Sequence, residues 1–398
     1  MRRVPAALRR RQSLGRQHSS RRSQGRRRVM TRGDAALAAK LQSEAEAWAP
    51  PSDLSALDTV DPDDLPVIDL GPYLAADPGD SGAIAETARQ IRAACAEVGF
   101  MYVANHGLDA TIERGYRAAR AFHADLPADA KKTLAMNRDR APYPRGVGFL
   151  AVANRVLPAR ALPNYNESFV VKRELGPRDV ALEHMPWPPS VCGEGGSAAA
   201  SFDGDEFKAA TLALVEAYET LARKLLPVFA VALGLEPSYF ESLFESPVVR
   251  MRLASYDATP AGHFGINPHV DTSFFTLLAS TDFEGLVLFG RKKRKWLRAT
   301  NDVRLPSSSE AIAHPLIVNT GQILCQLTND EWTATRHFAV NPGGPNPDER
   351  RPRISLPFFF NASATAPLAV LPHFCSPTNP PKYATASYLD GQAVQQGE

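Results

Sequence analysis

His269-Val270-Asp271 is the densest concentration of ligating side chains in the 398-residue sequence. On extended backbone, residues i and i+2 point to the same face, so an imidazole and a carboxylate at that spacing converge on one point. Such a pair is often no more than a surface hydrogen bond, and a metal site needs a third ligand. Three histidines lie downstream: His314, His337 and His373. His314 precedes Pro315 and His373 follows Pro372, both in loop-like settings. His337 instead falls within Thr335-Arg336-His337-Phe338-Ala339-Val340, which reads as a strand after the turn Thr328-Asn329-Asp330. Two imidazoles and one carboxylate on one face leave the opposite face of an octahedral ion open for substrate chelation and O2, which suits iron(II). His269, Asp271 and His337 are therefore the candidate metal ligands and catalytic centre.

Arg353 and Ser355 form a second constellation. They share a face if the segment is extended, and a guanidinium can grip a carboxylate bidentately while the hydroxyl adds a donor. The alternative for Arg353 is a surface ion pair with Asp348 or Glu349, but the apolar run from Ser355 to Phe360 places it on a strand entering a core.

These residues need a β framework. Beyond Val248 the chain breaks into short β-rich runs at Val249–Tyr256, Ser273–Ala279, Leu286–Phe289, Leu316–Val318, Ile323–Leu327, Thr335–Val340 and Arg353–Phe360, separated by Gly, Pro and Asn turns. Upstream, Val67-Ile68-Asp69-Leu70 reads as a strand and Ser81–Val98 as a helix. Phe100–Val103 reads as a strand, with a second helical region to about Lys132. The stretch from Asp139 to Gly195 reads as lid-like loops around one strand, Glu167–Val171. Phe202–Leu235 reads as a long supporting helix stopped by Gly234.

On these motifs the chain resembles the iron(II)- and 2-oxoglutarate-dependent dioxygenase superfamily, in its isopenicillin N synthase-like branch. Gly99-Phe100-Met101-Tyr102-Val103-Ala104-Asn105-His106-Gly107 is similar to the family's N-terminal strand and turn. Met251-Arg252-Leu253-Ala254-Ser255-Tyr256 is similar to the strand ahead of the metal motif. Val318-Asn319-Thr320-Gly321 with Leu327-Thr328-Asn329 resembles the approach to the distal His, and Arg353-Ile354-Ser355 the family's R-x-S. The resemblance runs from about Leu65 to Gly397. It implies iron(II), 2-oxoglutarate and O2 as cofactor and cosubstrates, with Tyr256 joining Arg353 and Ser355 on the 2-oxoglutarate. It also implies a cavity wall near Arg145, Asn164, Tyr165, Glu167 and Phe169.

Two departures stand out. The intervals from His269 to His337 and from His337 to Arg353 are long, through loops at Arg298–Ala313 and Asn341–Pro352. Gln322 stands where the family usually has Asp, which puts a hydrogen bond behind the ligands in question. Phe274 and Phe275 are expected to straddle a strand, one toward the cavity and one toward the core, so Phe274 joins the candidate substrate contacts. His106 reads as structural, and the five basic residues Arg291–Lys295 as a solvated hairpin end.

Bulk properties set the bounds. Apolar residues make up 44% and charged residues 22% of the chain, as in a globular protein. The net charge of +2 conceals a division: residues 1 to 33 hold twelve Arg and no acid, and the remainder has 33 basic against 43 acidic residues. An acidic body argues against a nucleic-acid groove. The head reads as an organelle-targeting segment or an extended gene start with Met30 as a later one. Four scattered cysteines suit a reducing, cytoplasmic setting, and no apolar run reaches the ~20 residues of a membrane span.

The expected fold is mainly β with α, a double-stranded β-helix (jelly roll) core flanked by helices. Its expected parts are a basic head over 1–50, a helical and strand region with lid loops over 60–200, a supporting helix over 201–245 and the iron/2-oxoglutarate core over 246–398. The expected activity is 2-oxoglutarate-coupled hydroxylation, desaturation or cyclisation of a small organic molecule, with no protein partner implied. The alternatives are an oxidase of the same fold that binds substrate directly to iron, an ethylene-forming type, or a metal-binding jelly roll without turnover.

Overall fold

The computed structural model describes residues 56–77, 80–136, 146–152, 164–175, 180–192, 201–260, 263–280, 284–341 and 351–390. The first elements are β1 (Val67–Asp69), α1 (Gly71–Ala75), α2 (Ser81–Glu97), β2 (Phe100–Ala104), α3 (Asp109–Ala124), α4 (Ala128–Thr133), β3 (Gly148–Leu150), β4 (Glu167–Arg173) and α5 (Gly204–Ala232). Then come β5 (Pro247–Tyr256), β6 (Ile266–His269), β7 (Phe275–Ser280), β8 (Leu286–Gly290), β9 (Lys295–Arg298), β10 (Leu316–Thr320), α6 (Gln322–Leu327), β11 (His337–Ala339) and β12 (Arg353–Ser363).

The helices begin where the sequence supplies caps. Asp80 accepts from the backbone N–H groups of Gly82 and Ala83 to start α2, and Asp203 from that of Glu206 to start α5. Asp205 and Glu206 in the first turn of α5 add favourable charge at its positive end. Past its C-terminus Gly234 takes the left-handed conformation, φ +76°, that ends a helix at low cost.

Eight strands form one sheet in the order β1-β2-β10-β7-β12-β5-β4-β3, and four form another, β6-β11-β8-β9. Among these described strands only β1 and β2 pair in parallel. Alternation along the large sheet sorts its side chains into two faces. Met101, Val103, Leu253, Leu277, Val318, Ile354, Leu356, Phe358 and Phe360 join the core built with α2, α3 and α5. Phe100, Tyr102, Leu278 and Ile317 point the other way and pack against Leu286, Leu288 and Leu297 of the small sheet. Two sheets packed face to face with helices outside the larger one make a jelly roll flanked by helices, as expected.

One element reads differently from its sequence. Ile323–Leu327, expected as a strand, belongs to the helix α6, entered from extended Gly321 and burying Leu324 and Leu327. A five-residue, mostly apolar run fits either period, and spacing i, i+3 toward the core decides it here. β6 and β9 lie outside the β-rich runs read from the sequence. The basic run Arg291–Lys295 does turn the β8–β9 hairpin, but it is not simply solvated. Lys293 pairs with Asp61 and Asp64, and Lys292 with Glu97. Among the described residues no helix is long and apolar enough to cross a membrane.

Phe229 of α5 stacks on Phe275 at 4.8 Å and meets Phe274 and Trp332 at 6.1 and 6.3 Å, tying the helix to the back of the sheet. Phe229→Ala should cost about 3–5 kcal/mol in urea or thermal unfolding. A loss under about 1 kcal/mol would show that this aromatic seam does not hold the helix on.

Candidate metal centre and cosubstrate pocket

β6 delivers His269 as its last residue and β11 delivers His337 as its first, and the two are register partners. Asp271 follows just beyond the end of β6. His269 Nε2 and His337 Nε2 lie 3.5 and 3.7 Å from Asp271 Oδ1, and the three potential ligand atoms all lie within 4.8 Å of one another.

The remaining polar atom of each group is already engaged. His269 Nδ1 lies 2.8 Å from the Asn267 carbonyl oxygen, and His337 Nδ1 3.0 Å from that of Thr335. A carbonyl only accepts, so each Nδ1 bears the proton and each Nε2 presents a lone pair. Asp271 Oδ2 accepts from the Thr276 hydroxyl at 2.7 Å and the Asn319 amide at 2.8 Å. Two neutral nitrogens and one anionic oxygen remain, a donor set that fits iron(II). Sequence reasoning missed Thr276 and Asn319 as supports of the site. The available signal was alternation: both share the inner face of the sheet beneath Asp271.

Burial alone would raise the Asp271 carboxyl, but His337, His269 and Asn319 outweigh it and hold the group well below the usual carboxylate range. Burial, with His269 alongside, pushes His337 down to about 4 despite the pull of Asp271, so this imidazole is neutral near pH 7. Phe100 meets the His337 ring edge-on at 5.2 Å. The backbone around Asp271 is locked as well: Gln322 N–H donates to its carbonyl at 2.8 Å and Gly321 N–H to that of Phe274 at 3.0 Å. A Cβ at Gly321 would collide with the Ser273 carbonyl, which explains the glycine. Gln322 thus contributes through its main chain, and the side-chain support for Asp271 comes from Thr276 and Asn319.

Arg353, Ser355 and Tyr256 gather on the inner face of the large sheet. Arg353 and Tyr256 are register partners across β12 and β5, and Ser355 sits opposite Ala254. All three are buried, Arg353 at 1% exposure. The guanidinium lies 5.3 Å from the centre of the Tyr256 ring. Burial lowers its pKa, while the phenols of Tyr256 and Tyr116 favour its charge. Two glycines give the pair room: a Cβ at Gly285 would come 2.9 Å from Arg353 Cδ, and one at Gly265 would meet the Tyr256 ring. A buried cation beside hydroxyl groups fits a dicarboxylate.

The expected substrate contacts separate. Arg145 lies outside the described residues. Asn164 spends its Oδ1 on Asn267, accepting from the backbone N–H at 2.9 Å and the side-chain amide at 2.6 Å, and so ties the approach to β4 onto β6. The Tyr165 ring meets His263 at 4.8 Å. Phe274 does not line the cavity: it is fully buried among Phe229, Phe240 and Phe244 on the helix side. The expected split of Phe274 and Phe275 fails because β7 begins only at Phe275, so strict alternation does not reach Phe274. Glu167 Oε1 is taken by His123 Nδ1 at 2.6 Å and Lys131 Nζ at 3.0 Å. Phe169 packs in the outer core. His106 is structural, accepting from Leu108 N–H on Nδ1 and so donating from Nε2 to the His314 carbonyl. A cavity of about 90 Å³ lies between Thr272, Gln322 and the C-terminal segment bearing Tyr383 and Ser387, and none of the three candidate ligands lines it.

A jelly roll with two imidazoles and a carboxylate converging between its sheets defines a class, the mononuclear non-haem oxygenases. Residues 65–190 match the family model "non-haem dioxygenase in morphine synthesis N-terminal", and residues 247–362 match "2OG-Fe(II) oxygenase superfamily". The chain belongs to the 2OG-Fe(II) oxygenase superfamily and is an oxidoreductase that works with iron(II), 2-oxoglutarate and O2. The 2-oxoglutarate-Fe(II) type oxidoreductase hxnY of Emericella nidulans is 27% identical over 338 residues, covering 82% of this chain and 87% of that protein. The 2-oxoglutarate-dependent dioxygenase caaD of Aspergillus niger is 24% identical over 318 residues, covering 78% and 88%. Among solved structures, a full-length Neurospora crassa protein in complex with alpha-KG and thymine superposes at TM-score 0.66 with 23% identity, covering 85% of this chain and 98% of that one. The rice dioxygenase for auxin oxidation superposes at 0.58 with 22% identity, covering 84% and 96%.

Two outcomes test the supports of the site. Asn319→Ala should weaken iron(II) binding about 10–100-fold in an anaerobic titration, and an unchanged affinity would mean the amide does not position Asp271. For Glu167, burial raises the carboxyl but His123 and Lys131 outweigh it, so its folded pKa lies below the ordinary value. Its stabilisation is present above the unfolded value of about 4.3 and lost as pH falls through the folded one. Glu167→Gln should therefore lower Tm at pH 7, and the gap to the unsubstituted protein should narrow below about pH 4.3. A constant gap would assign the loss to packing.

Proposed function

We propose that His269 Nε2, Asp271 Oδ1 and His337 Nε2 hold the iron(II), and that Arg353, Ser355 and Tyr256 grip the distal carboxylate of 2-oxoglutarate. The chain then oxidises a small organic molecule by hydroxylation, desaturation or cyclisation. The observation that supports this best is the convergence of those three atoms within 4.8 Å, each belonging to a group whose other polar atom is already engaged. O2 is the oxidant: with iron(II) bound, its four-electron reduction would be shared between 2-oxoglutarate, which becomes succinate and CO2, and the substrate.

The chain's own groups do the positioning. The Nδ1–H bonds to main-chain carbonyls fix both imidazoles in the ligating tautomer. Thr276 and Asn319 hold Asp271 so that only Oδ1 faces the ion. Arg353 would fix one end of the dicarboxylate and so orient its 2-oxo acid end toward the three ligands. Phe100, Tyr102, Leu278, Leu288 and Ile317 wall the interior with apolar surface and limit water around the reacting centre. The relatives named for 2-oxoglutarate, and the Neurospora crassa structures holding thymine or 5-formyluracil, support a small-molecule substrate.

Anaerobic addition of iron(II) and 2-oxoglutarate should produce the weak visible charge-transfer band of the chelate, and iron binding without that band would remove the cosubstrate assignment. His269→Ala and His337→Ala should each abolish iron binding and turnover; retention of both activities would remove the ligand assignment. Arg353→Gln should raise KM for 2-oxoglutarate at least about tenfold through loss of a charge-assisted pair.

A further inference from the structure

β5 presents a second arginine to the interior. Arg252 shares a face with Ala254 and Tyr256, two and four residues further along the strand, and stands opposite Val170 of β4. Its Nη2 donates to Asn166 Oδ1 and Ser168 Oγ, both at 3.0 Å. Both acceptors are neutral. Its Nε is sealed from solvent and makes no hydrogen bond, and no carboxylate among the described residues forms an ion pair with it. Asn166 is itself fixed, donating from Nδ2 to the Gly265 carbonyl at 2.5 Å, so the Arg252 pocket is tied to the chain entering β6.

A guanidinium does not shed its proton, so Arg252 is a partly buried cation to which the described residues supply no ion-pair partner. Burial lowers its pKa, and the groups favouring its charge are Tyr256 and Asp271. Asp271 is within electrostatic reach but faces the metal position, where iron(II) would absorb its charge. Tyr256 and Arg353 are committed to the distal carboxylate of 2-oxoglutarate in the proposed clamp. Nε is sealed and Nη2 is spent on Asn166 and Ser168, but Arg252 is only partly buried and its Nη1 makes no hydrogen bond to the described residues, so Nη1 is the edge left to meet a carboxylate, and the molecule left to bring one is the substrate. We propose that Arg252 is the receptor for a carboxylate on the primary substrate, so that this enzyme oxidises small organic acids. This rests on the iron and 2-oxoglutarate assignment.

The test uses the full-length, iron-loaded protein with saturating 2-oxoglutarate. Phenylacetate, cinnamate and octanoate are compared with their methyl esters, by anaerobic binding and by succinate release above the background without probe. The acids should bind at least about tenfold more tightly than their esters, the loss expected when one charge-assisted pair is removed. Arg252→Gln should erase that preference and raise the Kd or KM for the acids, with the larger effect on the acid rather than on 2-oxoglutarate. Arg252→Lys, which keeps the charge but not the fork, should restore part of it. Equal binding of acids and esters by the unsubstituted protein would overturn the proposal, whether or not the variants fold. So would an acid preference that survives in Arg252→Gln, or an effect confined to KM for 2-oxoglutarate, which would place Arg252 with the cosubstrate clamp. Failure of the underlying reading would appear separately, as no chelate band before any probe is added.

Discussion

Asp271 is an anion removed from water, and the interior of the roll is organised around keeping it ionised. Desolvation pushes the carboxyl toward its neutral form, so the charge survives only if donors and partial positive charge surround it. Thr276 and Asn319 donate to one oxygen, and the two imidazoles stand beside the other. These four supports come from β7, β10, β6 and β11, which belong to both sheets. The site therefore exists only when the two sheets have closed on each other, and its geometry reports on the whole roll.

The same constraint explains the division of the large sheet. Its outer face is mostly apolar and packs on helices, with aromatic contacts from Phe229 to Phe275 and from Phe244 to Phe360. Its inner face mixes apolar residues with Arg252, Tyr256, Thr276, Asn319, Arg353 and Ser355. Polar side chains there could not be solvated, so each must find a partner in the protein or in what the protein binds. Thr276 and Asn319 find Asp271. Arg353 is a buried cation and Arg252 a partly buried one, which suits a site whose cosubstrate is a dicarboxylate. Glycines at 265 and 285 take up the volume that these large side chains need.

The contribution of the N-terminal half is mechanical. β1 to β4 extend the large sheet at both its edges, and Asn164 and Asn166 tie the start of β4 to the chain leading into β6. The His123–Glu167–Lys131 cluster anchors β4 to the helices behind it. Residues that the sequence suggested as a substrate wall, Asn164 and Glu167, are engaged in this bracing, which leaves recognition to groups such as Arg252 that keep unused capacity.

The sequence by itself picked out the candidate ligands, because the same-face rule for His269 and Asp271 and the strand context of His337 needed only local periodicity. It also indicated Arg353 and Ser355 as the proposed clamp pair, the long capped helix α5 and the jelly-roll class. Only the tertiary structure decided the rest. α6 is a helix because docking against the core buries Leu324 and Leu327, a choice that the short run Ile323–Leu327 leaves open. Phe274 is core because the strand begins one residue later than alternation assumed. Asn319 and Thr276 became supports of Asp271, and Arg252 an interior cation without a carboxylate partner, through the register of strands far apart in the sequence, β4 with β5 and β7 with β10. Local pattern tells which face a side chain takes; which neighbour it meets there depends on how distant strands align, and that is settled by closure of the two sheets.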